Sequence, residues 1–205
     1  MAAGVFRVSQ LIAGADITPE NARFFAAPVP VVLHVVSAVV LCLVGAFQFA
    51  PGFRRRRLAW HRKAGRVLTV CGLAAGGTGL WMTVFYPHVP GDSEALHGMR
   101  LLFGSAMVAS FALGFMAIRE GDIARHGAWM TRGYAIGMGA GTQALVHLPW
   151  LLVSGMPDEL GRTLLMGAGW LINLAVAEWS IRTRPSSPLS YRQPPVATPD
   201  PVSSV

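Results

Sequence analysis

Six histidines stand in a chain of 205 residues that is 53% hydrophobic and only 13% charged. Ionisable groups are costly in hydrocarbon and tend to mark functional positions there, so the imidazoles are where chemistry is to be sought. His61 and His126 share a setting, in His61-Arg62-Lys63-Ala64-Gly65-Arg66 and in Arg125-His126-Gly127-Ala128-Trp129-Met130-Thr131-Arg132. Two imidazoles on facing helices at one depth can ligate a b-type haem axially, or hold a quinone headgroup. They are therefore the candidate metal ligands. Arg66, Arg132 and Trp129 are the candidate cofactor neighbours, because guanidinium groups near a haem edge can pair with its propionates. The same arginines can instead hold lipid phosphates. His34 and His147 form a second candidate pair. They lie ~6 and ~9 Å from the opposite face on the helical rise, so two imidazole layers would carry electrons across a bilayer. His97 and His88 sit at the mouth and in the turn of that face. Against all of these stands the plain reading that interfacial histidines rest among headgroups.

Such depths presuppose helices in lipid, and the hydropathy pattern supplies them. Pro30 to Ala50 contains no Asp, Glu, Lys or Arg and is followed at once by Arg54-Arg55-Arg56-Arg57. About twenty apolar residues rising ~1.5 Å each cover a ~30 Å hydrocarbon core. Further spans are expected over 65–86, 97–118, 132–153 and 161–181, the last interrupted by Asn173 and Glu178. The expected class is all-α, a polytopic bundle of about five transmembrane helices over residues 29–181. Residues 1–28 read as a non-spanning arm lying along the membrane through Phe24 and Phe25. The Pro- and Ser-rich segment 182–205 reads as a disordered tail.

Lysines and arginines fall unequally between alternate connections. Thirteen lie on the side of the first connector and the tail, and four (Arg7, Arg23, Arg100 and Arg162) on the other. The positive-inside rule then places the first group in the cytoplasm, the amino terminus outside and the tail inside. A multi-pass membrane protein is then expected. The net charge of +7 is arginine beside apolar spans, which favours anionic headgroups as partners over nucleic acid. Cys42 and Cys71 fall inside spans and read as small apolar core residues. No cleavable signal is expected in the first fifteen residues. No nucleophile constellation, phosphate-cradling loop or CxxC motif is present, which disfavours a hydrolase or kinase.

Small residues suggest how the helices meet. Gly133, Gly137 and Gly141 are four apart with Gly139 between, and Gly72 and Gly76 repeat the spacing. Such stripes let backbones approach closely in lipid, or leave a groove for a flat ligand. Gln48 and Gln143 need partners on other helices, and Gln143 lies one turn before His147.

The segments GAFQF, WHRKAGR and RHGAWMTRGYAIG resemble the bacterial membrane proteins grouped as domain of unknown function 2306. The resemblance runs from about Val31 to Leu148. It implies a small helical inner-membrane protein and points to His34, His61, Arg66, His126, Trp129 and Arg132 as pattern residues. It leaves His97 and His147 outside the pattern. A looser similarity of architecture is to the two-haem transmembrane cytochromes b. Two functions stay open: a redox-type component with a redox partner, holding haem or quinone, and a cofactor-free module that binds lipid or a small solute or serves as a partner subunit.

Overall fold

The computed structural model describes residues 2–50, 52, 56–88 and 91–183. Among these, every regular element is a helix: α1 (Ala2–Ala13), α2 (Ala22–Ala26), α3 (Pro28–Gln48), α4 (Leu58–Phe85), α5 (Glu94–Arg119), α6 (Ile123–Gly137), α7 (Gly139–Ser154) and α8 (Glu159–Arg182). Arg54, Arg55 and the tail from 184 onward, read above as basic stop and disordered segment, lie outside the described residues.

Local chemistry sets the ends of these helices. Pro28 opens α3, where its missing N–H costs nothing. Ser93, Asp122 and Asp158 cap α5, α6 and α8 by accepting from the N–H groups of Leu96, Arg125 and Gly161. Between α5 and α6 the chain reverses within Glu120-Gly121-Asp122. Gly121 takes a positive φ of 80°, and Asp122 N–H returns to the Ala117 carbonyl at 2.9 Å. This is a Schellman stop followed at once by a cap, and it lays α6 back along α5.

The helices α3, α4, α5 and α8 are each long and apolar enough to cross a membrane. The helices α6 and α7 bend by 41° at Met138 and are long and apolar enough for a fifth crossing only when taken together as one broken span. The fourth apolar stretch is thus a broken helix rather than a straight one. Its starting point also lies earlier than Arg132, because Asp122 caps it. Many large apolar side chains face outward, among them Val70, Leu102, Leu145 and Leu164. That surface suits hydrocarbon rather than water.

Inside, Leu41, Leu68, Phe103, Met107, Phe111 and Ile136 form the buried cluster. Lipid tails are as apolar as leucine, so packing rather than water expulsion must hold such a core together. Phe111 shows how: its ring lies between Gly72 on α4 and Gly133 on α6, and a Cβ at either glycine would overlap it. Gly137 in turn faces Leu41 and Met107, while Gly139 faces the Trp170 ring. Gly141 faces open space. Apart from Gly141, the glycines of these stripes are therefore places where bulky side chains seat against backbone.

A candidate ligand cavity between the helices

At the end of the bundle where α3 begins, a cavity of about 390 Å³ runs between α3, α4, α5 and the broken pair α6–α7. The volume lies in the range of small-molecule sites. Arg23, Phe24, Tyr86, His88, His97 and Arg100 surround its mouth, with His34 on one wall. Leu41, Met107, Ile136 and Trp170 form its apolar floor. From Arg100 to Met107 the helix climbs ~10 Å, so the floor lies well within the apolar part of the bundle.

Three helices orient the polar wall. His34 Nδ1 stands 2.9 Å from the Ala75 carbonyl oxygen on α4. A carbonyl can only accept, so the proton sits on Nδ1 and the Nε2 lone pair is left for another partner. The ring lies flat against α4 because Gly79 has no Cβ to meet its Cε1 edge. At the mouth the His88 and His97 rings stack with centroids 4.8 Å apart. Above them Tyr86 donates its hydroxyl to the Ala27 carbonyl at 2.6 Å and takes Phe24 edge-on, which ties the short helix α2 to the end of α4.

Arginines gather at this end although the sequence places few here. The Asp92 side chain is only 2% exposed and is held by Arg100 and by Arg162 Nε at 3.0 Å. This links the α4–α5 turn to α5 and α8. Arg23 packs over the Phe24 ring at 4.7 Å, with Arg7 on the same ring at 5.7 Å. Arg23 Nε is buried without a hydrogen-bond partner. Burial, then repulsion from Arg7, draws the Arg23 guanidinium below its ordinary pKa.

At the opposite end the residues favoured by the sequence are placed differently. His126 directs Nδ1 at the Gly114 carbonyl on α5 at 2.8 Å, which again leaves the Nε2 lone pair. His61 is half-buried at the start of α4, and its backbone carbonyl accepts from Gln48 Nε2. Neither His61 nor His126 lines the cavity. Arg66 is exposed on the outer surface of α4. Arg132 forms a two-point pair with Glu178 on α8, with Nη2 to Oε2 at 3.1 Å, and lies 4.8 Å over the Trp129 ring. His147 turns Nδ1 to the Gln143 carbonyl of its own helix at 2.7 Å, outside the cavity. The Gln143 amide donates instead to the Met166 carbonyl on α8. Of the four histidines proposed for two layers, the structure brings only His34 to the cavity, together with His88 and His97.

Among the described residues no three His, Cys, Asp or Glu side chains gather as a metal site. Cys42 and Cys71 are both free thiols. Sequence reasoning missed Arg23, Arg100, Asp92 and Arg162. The available signal was their isolation, since they belong to a poorly charged side where each cation needs a reason.

The sequence pattern of a family described as predicted membrane protein (DUF2306) matches residues 31–181 of this chain. No curated protein and no solved structure matches it.

Proposed function

We propose that this chain, which belongs to the predicted membrane protein family DUF2306, binds a small amphipathic molecule in the cavity between its helices. One observation carries the reading: a polar mouth with arginines and imidazoles leads into a floor of Leu41, Met107, Ile136 and Trp170. A molecule with a polar head and an apolar body matches both halves, whereas a wholly polar solute would leave the floor poorly solvated. The lysine and arginine count supports an orientation in which the mouth and the amino terminus face away from the cytoplasm of an inner membrane and the tail faces into it. Ligands then enter from the outer surface or the outer leaflet.

The test is thermal unfolding of the detergent-purified protein with single-chain amphiphiles. A ligand that binds only the folded state raises Tm with concentration. The shift saturates in the natural sequence and vanishes in Ala38→Phe or Ala140→Phe, whose rings occupy the cavity. Equal shifts in all three proteins would sink the reading.

A redox role at the other end is a second proposal, favoured by the His126 geometry. Nδ1 anchored on a backbone carbonyl fixes the tautomer that offers Nε2 to a metal. His126, with His61, would hold a b-type haem there, and the haem would supply one-electron chemistry. A Soret band in the purified protein, lost in His126→Ala, supports it. A colourless folded protein ends it.

A further inference from the structure

We infer that the head group this cavity selects is an anion, a carboxylate or phosphate monoester borne on a single apolar chain. This rests on the amphiphile reading above and specifies it. Two guanidinium groups, Arg23 and Arg100, line the cavity, and among the described residues no carboxylate does. Asp92, which pairs with Arg100, is shared with Arg162, so two cations compete for one buried carboxylate.

Arg23 makes the stronger case. Its neighbours are the Phe24 ring and a second cation, Arg7, whose repulsion outweighs the attraction of an Asp92 already shared by Arg100 and Arg162, and its Nε is buried without a hydrogen-bond partner. A buried donor left unmade costs free energy, and one on a charged group costs more. Guanidinium stays protonated across the physiological range, so the charge cannot be shed to relieve the cost. An oxyanion at the mouth would satisfy Arg23 and relieve its repulsion with Arg7 in one step. Arginine is also suited to this, since its planar fork matches carboxylate and phosphate oxygens. The imidazoles of His88 and His97 beside it add donors to the same position.

Other occupants would match fewer of these groups. A neutral head such as an alcohol would accept one hydrogen bond and leave the charges uncompensated. A cationic head would meet two guanidinium groups directly. A free inorganic anion would satisfy the mouth and leave the apolar floor empty.

The experiment uses the full chain in an uncharged maltoside micelle, with decanoate, decyl phosphate, decanol, decylammonium and inorganic phosphate as probes, read by saturable Tm shifts. Decanoate or decyl phosphate is expected to bind at least tenfold more tightly than decanol, and the preference to shrink with added salt. Arg23→Gln is expected to remove most of that preference, and Arg23→Lys to keep part of it, while both unfold near the parent temperature without ligand. Arg100→Gln serves as the second variant. Decanol binding as tightly as decanoate, or an unchanged preference in Arg23→Gln, overturns the inference and leaves the amphiphile reading standing. Tight binding by inorganic phosphate alone keeps the anion but overturns the amphiphile. No saturable shift with any probe overturns both.

Discussion

Asn173 donates its side-chain amide to the carbonyl oxygen of Ala135 at 3.1 Å, across from α8 to α6. In an uninterrupted helix that carbonyl would accept from the N–H of Gly139, which here starts α7 instead. The same side chain accepts from the Thr142 hydroxyl on α7 at 2.8 Å. One residue thus bridges both sides of the 41° bend. Non-helical backbone at membrane depth survives only where protein or a lined cavity satisfies it. Both conditions hold here, because Gly137 and Ala140, on either side of the break, line the cavity.

Replacing Asn173 with Leu removes the donor and the acceptor together. Interhelical hydrogen bonds in membranes contribute roughly 0.6 kcal/mol on average and up to about 1.7. With two bonds lost at a break, the expected destabilisation is about 1–2 kcal/mol. Unfolding of the detergent-solubilised protein by a denaturing detergent measures it. Thr142→Ala alone should cost less, and the double variant should cost no more than Asn173→Leu.

Phe111 offers a test of close packing. Its ring fills the space that side chains on Gly72 and Gly133 would need, and it is 2% exposed. Gly72→Ala therefore forces the ring or the helix to move, at about 1–3 kcal/mol by the usual cost of overpacking. If the cost comes from the ring, Phe111→Leu combined with Gly72→Ala should recover part of it. Gly141→Ala, which meets open space within α7, is the control and should leave stability unchanged or slightly raised, since alanine is the better helix former.

Much of this bundle is readable in its sequence, for a physical reason. A helix in lipid must satisfy its own backbone, so a long charge-free run allows few other structures, and α3 and α5 follow from composition. The break at Met138 does not, because Tyr134 to Ala144 carries no proline and its glycines read equally as a packing stripe. The distant Asn173 satisfies the carbonyl that the bend frees, and that pairing is tertiary. The site itself was not read from the sequence, although a signal for it was there. Arg7, Arg23, Arg100 and Arg162 are the four cations counted against the positive-inside bias, and contacts through Phe24 and Asp92 collect them at one end. Imidazole spacing drew attention to His61 and His126 instead, because one-dimensional depth says nothing about which face a ring takes.

Arg132 and Glu178 join α6 to α8 at the end opposite the cavity mouth through two parallel contacts. Both side chains are about one-third exposed, at 28% and 34%. Solvent screening therefore limits the pair to about 1 kcal/mol or somewhat less. A double-mutant cycle with Arg132→Gln and Glu178→Gln should return that coupling. If the pair instead serves a cofactor or lipid at this end, Glu178→Gln would release Arg132 and alter ligand binding more than stability.

Asp92 decides between structural and ligand roles for the arginines at the mouth. Removing one partner from a fully buried ion pair costs ~3–5 kcal/mol. Arg100 and Arg162 are 28% and 36% exposed, so hydration of the released cations brings the expected loss for Asp92→Asn to about 2 kcal/mol. The substitution also removes the one carboxylate that competes with an incoming anion for Arg100. Asp92→Asn should therefore melt earlier without ligand yet show a larger decanoate-induced rise in Tm than the parent protein. An equal or smaller rise would mean that Arg100 and Arg162 serve only to fasten the α4–α5 turn, with anion binding left to Arg23 alone.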